Sequence, residues 1–176
     1  MKRLALGTLL IAGLMALLCV PVFAQSAAMT EEHIERIRAN CVEAQSTLTQ
    51  LHKSDALLRV NRGQLYESIA TKLMTPLNSR LALAKLDNSS FTLLTVTYDQ
   101  QLAQFRTSYK EYEEATAKTL RINCVNQPVA FYDSVADART KRQLVFSSNA
   151  ALQKTIEQYG AVFAAFKQKF LQENGQ

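Results

Sequence analysis

The 176 residues contain no tryptophan, five glycines, three prolines and two histidines. Scarce glycine and proline leave few places where a helix must stop, so long helices are the expected backbone form. The two histidines, His33 and His52, stand far apart on one helix. Apart from Asp55 near His52 they have no further ligand at helical spacing, so no metal site is expected. No glycine-rich phosphate loop and no nucleophile elbow occurs. No catalytic residue and no cofactor is therefore assigned. The chain carries 20 basic and 15 acidic residues. The excess is spread along the chain, and its densest group, Arg139, Lys141 and Arg142, has no interleaved aromatics. That excludes a nucleic-acid stripe. The acidic groups Glu31–Glu32 and Glu111, Glu113, Glu114 read as solvated faces.

What is present begins with a leader. Lys2 and Arg3 precede an apolar run from Leu4 to Val20, and Pro21-Val22-Phe23-Ala24 follows. This is the layout of a secretory signal peptide over residues 1–24, cut before Gln25. An uncleaved membrane anchor is the main rival, with the run at the short limit for a span. A lipoprotein acylated at Cys19 is disfavoured by the bulky Leu18 before it. Without residues 1–24 the chain suffices for one domain with its own core. A periplasmic or extracellular location is expected, with membrane contact only if the leader stays.

Cys19 leaves with the leader, and Cys41 and Cys124 remain. In an exported chain they are expected to form one disulfide. Two buried free thiols are the alternative, and two cysteines alone cannot hold zinc. Closing so long a loop stabilises by roughly 4 kcal/mol in the loop-entropy picture.

Residues 25–29 form a flexible lead and Thr30 an N-cap. The domain, 30–172, starts with a helix whose apolar seam runs Ile34, Ile37, Cys41, Ala44, Leu48, Leu51, Leu58, Leu65 and Ile69. Asp55 and Arg62 interrupt that seam. Thr75-Pro76 should end this helix near Met74 and open a short helix over Pro76 to Leu86. Asp87-Asn88-Ser89-Ser90 is a turn, preferred over a glycosylation site. A second long helix runs from about Phe91 to Ile122 on a stripe that includes Tyr98, Phe105, Tyr109 and Tyr112. That stripe reads as core, with a binding groove as the minority alternative. A third runs from about Val129 to Leu171 along Val135, Ala138, Arg142, Val145, Asn149, Leu152, Ile156, Tyr159, Phe163, Phe166 and Phe170. Residues 173–176 should fray.

These elements predict an all-α fold: an elongated, antiparallel, up-down-up three-helix bundle, coiled-coil-like, with the segment after Pro76 as a cap across one end. A ruler of 1.5 Å per residue puts Cys41 and Cys124 level only if the first helix breaks at Pro76. The same ruler puts Asp55 and Arg142 at one level with Tyr109 beside them, and Arg62 with Asn149 about two turns higher. This polar layer sets helix register or forms a ligand notch.

Two blocks, Arg59 to Ile69 continuing through Leu77-Asn-Ser-Arg-Leu-Ala-Leu, and Thr119-Leu-Arg-Ile-Asn-Cys-Val-Asn-Gln-Pro-Val-Ala-Phe-Tyr-Asp, resemble uncharacterised exported helical-bundle proteins of reduced-genome bacteria. The resemblance implies a helical fold and an envelope location, and no activity or functional residue. The expected role is non-enzymatic: interaction with an envelope component or protein partner, with self-association open to so regular a seam. One alternative is a chaperone or carrier with an apolar groove around Leu77, Leu81, Leu83, Phe163 and Phe166. Another is an enzyme with its site at Asp55, Arg62 and Arg142.

Overall fold

A computed structural model describes residues 29–175. The leader 1–24 and nearly all of the lead 25–29 lie outside the described residues, as does the final residue of the tail. The described chain is all-helical, with no strand among those residues. It comprises α1 (Glu31–Ala39), α2 (Cys41–Ser68), a π-helical stretch (Ile69–Met74), α3 (Thr75–Leu83), α4 (Ser89–Leu120) and α5 (Pro128–Asn174). No helix among the described residues is long and apolar enough to cross a membrane.

The first expected helix is divided at Asn40. Its side-chain amide donates to the Arg36 carbonyl at 2.7 Å, and its own backbone N–H reaches the same carbonyl at 3.2 Å. Asparagine competes with the helical ladder in this way, and the chain turns slightly there.

At Pro76 the outcome differs from expectation. The helix does not stop near Met74, and residues 76–86 form no separate cap. Instead Ile69–Met74 widens into a π-helix and leads straight into α3, with Pro76 in its first turn. The Thr75 N–H donates to the Ala70 carbonyl, five residues back. The extra residue per turn makes room for a ring that would otherwise strike the carbonyl four residues before it. Burial favours this solution: Tyr66, Ala70, Met74 and Leu81 are all in the core.

α3 ends in a Schellman motif. Leu86 N–H bonds the Leu81 carbonyl at 2.9 Å and Lys85 N–H the Ala82 carbonyl at 3.0 Å. Lys85 takes φ 56° there, a position that favours glycine. Asp87 then accepts the Ser89 N–H at 3.0 Å and starts α4. The backbone and side-chain hydrogen bonds from Ser89 hold the Asp87 carboxyl below its ordinary range.

The Cys41–Cys124 disulfide forms, with Cα atoms 5.6 Å apart. Cys124 lies in the turn four residues past the end of α4. The bond forms although the helix continues through Pro76, so the ruler's link between the crosslink and a break at Pro76 does not hold; the extended turn 121–124 makes up part of the difference.

α4 packs against both α2 and α5. Along α4 and α5 the partners run in opposite senses: Thr119 with Ser134, Glu111 with Lys141, Ser108 with Ser148, Gln101 with Thr155. Along α2 and α4 the series is Gln45 with Ile122, Asp55 with Tyr112, Glu67 with Arg106. Two apolar clusters result. One surrounds the disulfide with Phe131, Leu48 and Val135. The other runs from Phe105 to the α3 end, where Phe91 meets Tyr159 and Phe166 edge-on at centroid distances of 5.3 and 5.7 Å. α5 continues to Asn174, beyond the expected end at Leu171.

Candidate functional site

The seam residues that sequence singled out meet between α2 and α5. Arg142 Nε donates to Asp55 Oδ2 at 2.9 Å and Nη2 to Oδ1 at 3.3 Å. Two turns higher, Arg62 Nη1 donates to Asn149 Oδ1 at 2.8 Å, and the Tyr66 hydroxyl bonds the same oxygen. Gln153 Nε2 then donates to the Tyr66 hydroxyl at 3.1 Å. The pairs 55/142, 62/149 and 66/153 are each 87 positions apart. A constant offset over consecutive heptads means that α2 and α5 run parallel and in register here.

Tyr109 is the exception. The hydroxyl on Asp55 comes from Tyr112, at 2.7 Å. Tyr109 lies one turn away, its hydroxyl buried without a partner and its ring under the Arg59 guanidinium at 4.9 Å. Both tyrosines lie on the buried side of α4, and only Tyr112 reaches the carboxylate. His52 Nε2 is likewise buried without a hydrogen-bond partner. No group of three metal-ligating side chains occurs among the described residues.

The environment fixes protonation. Burial, then the hydrogen bond to Asp55, pushes the Tyr112 hydroxyl up to about 12. Burial also raises Tyr109, helped by the Glu113 charge. The bond to Asp55 raises Arg142 still further. Both Asp55 oxygens are therefore engaged, with one arginine and one neutral phenol.

Above this polar layer the helices stand apart. No Cα of α2 comes within 8 Å of any in α5. Side chains alone span the gap, and α4 supplies the floor. Leu58 and Phe146, which line the gap, remain 48% and 49% exposed, and Leu65, two turns further along α2, 55%. A notch of about 90 Å³ lies over Asp55, Arg62, Tyr109 and Arg142. Nearer the disulfide, a hollow of about 620 Å³ opens among Arg36, Leu48, Phe131, Val135 and Arg139. The sequence seam placed Leu58 and Leu65 in the core. The helix carries them to its α5-facing edge, and Tyr66, which the seam missed, takes the core position.

No protein-family model, curated protein or solved structure matches this chain.

The apolar patch expected near the end of α3 is only partly present. Leu81 is buried, Leu77 and Phe166 pack against the core, and only Leu83 and Phe163 stand exposed. Leu86 joins that core in closing the end, which leaves a hollow of about 390 Å³ against Phe91, Phe166 and Phe170.

Proposed function

We propose that this is an exported, non-enzymatic protein of the cell envelope that binds a partner along the furrow between α2 and α5. The contact series along α2, α4 and α5 support an up-down-up three-helix bundle as the scaffold. The observation that carries the binding reading is the separation of α2 from α5, with Leu58 and Phe146 half-exposed at the notch and Leu65 half-exposed two turns further along α2. Apolar side chains aligned on one furrow mark contact surfaces more often than scattered ones do. The Cys41–Cys124 bond agrees with an oxidising compartment and with the leader read over residues 1–24. The non-enzymatic reading draws support from Asp55, whose oxygens are committed to Arg142 and Tyr112.

Two measurements test this. The intact mass of the protein extracted from its own envelope should start at Gln25 and rise by one pair of hydrogens on reduction. A mass that keeps residues 1–24 would remove the soluble exported form. A photo-crosslinking residue placed at Leu65 or Phe146 in living cells should yield a partner adduct, and one at Leu93, exposed on α4, should not. Adducts at none of the three, or at Leu93 alone, would overturn the furrow as a partner-binding surface in the cell.

A further inference from the structure

We infer that the occupant of the α2–α5 furrow is an acidic amphipathic helix of about five turns. The inference rests on the furrow reading above and names its partner by chemistry. Length and form come from the register. The ladder that pairs 55 with 142 and 62 with 149 presents side chains every seven residues on two parallel helices. A third helix laid between two such helices meets that repeat with its own a and d positions, whereas an extended strand, with period two, does not. From Leu48, in the hollow, to Leu65, two turns past Leu58 in the notch, α2 rises roughly 26 Å, about five helical turns.

Charge supplies the sign. Five arginines, Arg36, Arg59, Arg62, Arg139 and Arg142, line the notch and the hollow with Glu43 and Asp55; Arg36 is paired with Glu32, Arg59 with Glu113 and Arg142 with Asp55, which leaves the charges of Arg62 and Arg139 for a partner. Asp55 is neutralised by Arg142. Arg62 and Arg139 have no carboxylate within 4.0 Å among the described residues. An incoming helix with leucines on its inner face would cover Leu58, Leu65 and Phe146. Glutamates on its flanks would reach Arg62 on one wall and Arg139 on the other. A second copy of this chain meeting furrow to furrow would set arginine against arginine, which opposes that occupant.

The test uses the full gene product as recovered from the exporting cell and two labelled peptides of about six turns. Both carry leucine at a and d. One has glutamate and the other lysine at the flanking positions. Fluorescence anisotropy should show the glutamate peptide binding about tenfold or more tighter, with affinity falling as salt rises. Arg62→Glu with Arg139→Glu should reverse the preference. Both side chains are exposed, and an unchanged circular dichroism spectrum certifies the fold. Should that variant misfold, Leu65→Ser should weaken the glutamate peptide several-fold by itself.

Equal binding of the two peptides, tighter binding of the lysine peptide, or no binding of either overturns the inference. So does a concentration-dependent dimer that the glutamate peptide cannot dissociate. If crosslinks still form at Leu65 under those outcomes, the furrow remains a binding surface and only the acidic helix is lost. If the peptide binds and no cellular crosslink forms, the chemistry stands and the envelope role falls.

Discussion

α5 and α2 both pack on α4, and they do so by different means. Between α4 and α5 small side chains alternate with the large apolar ones, among them Phe91 against Tyr159 and Phe166. Ser108, Ala115, Thr116 and Thr119 on one helix face Ala138, Ser148 and Thr155 on the other, all buried. Small residues let two backbones approach closely along their length. Their hydroxyls are satisfied locally, as where Thr119 lies 2.8 Å from Ser134 and 2.9 Å from the Ala115 carbonyl. α2 meets α4 through long side chains instead. Tyr112 reaches Asp55, Arg59 reaches Glu113, and Arg106 reaches Glu67. The first of these bonds is buried and the two ion pairs are half exposed, so each ion pair contributes little. The hairpin of α4 and α5 is thus a close-packed unit, and α2 is an arm held mainly at its ends. The disulfide holds one end and the cluster of Tyr66, Met74 and Leu81 the other. An arm of that kind leaves a furrow beside it, and there Leu58 stands half-exposed and Arg62 has no carboxylate partner among the described residues.

The largest effect expected from breaking this arrangement is at the crosslink. Cys41→Ser with Cys124→Ser should cost about 4 kcal/mol in chemical unfolding, as loss of a loop of 83 residues implies. Hydrogen exchange should then rise in α1 and α2 well ahead of α4 and α5. If α5 loosens in step with α2, the two contacts are energetically alike and the distinction fails. Next comes the hairpin. Leu152 is fully buried, and Leu152→Ala should cost about 3 kcal/mol. Because the hairpin is the frame, that loss should raise exchange in every helix together.

Asp55→Ala should cost less, about 2 kcal/mol, chiefly because the buried Tyr112 hydroxyl loses its acceptor. Differential scanning calorimetry would measure it, and a change within error would mean that the polar layer contributes nothing to stability. The same layer responds to alkali. Tyr112 is neutral in both states below its ordinary value near 10, so its contribution is complete there. As pH rises from about 10 through about 12 the unfolded chain ionises first, and that stability is lost. Burial raises Tyr109 and Tyr159 in the same direction. A spectroscopic titration should therefore show tyrosinate absorbance rising later than in free tyrosine and together with loss of helical signal. Tyrosines that titrate near 10 with an unchanged helical signal would contradict the burial of this layer.

How far these features were legible in the sequence varies by element. Tyr98, Phe105, Tyr109 and Tyr112 on α4 are all buried as the stripe implies, because the middle helix offers two faces and tolerates error in either. The levels of Asp55 against Arg142 and of Arg62 against Asn149 followed from rise per residue alone. The first helix was harder. A strict seven-residue repeat drifts about 20° per heptad on a straight helix. By Leu58 and Leu65 the repeat has walked out of the core, and Tyr66 takes the place. The same drift sets Val162 against the core and leaves Phe163 43% exposed. Pro76 misled for another reason. Its local preference is to end a helix, yet burial of Met74 and Leu81 on either side made a π-helical detour the better bargain. No pattern of residue types marks that choice.

The smallest effect sharpens the comparison most. Gly63 lies in α2 and Gly160 in α5, and a methyl group added at either meets nothing within 4 Å. Glycine inside a helix costs about 0.5–1 kcal/mol relative to alanine. Gly63→Ala and Gly160→Ala should therefore each stabilise global unfolding by nearly the same small amount. Their kinetics of local opening should differ. If the arm opens independently of the hairpin, Gly63→Ala will slow exchange of α2 amides in the native state and Gly160→Ala will leave them unchanged. Equal slowing by both would mean that α2 opens only when the hairpin does. In that case the arm is as firmly built as the frame, and the distinction between arm and hairpin fails.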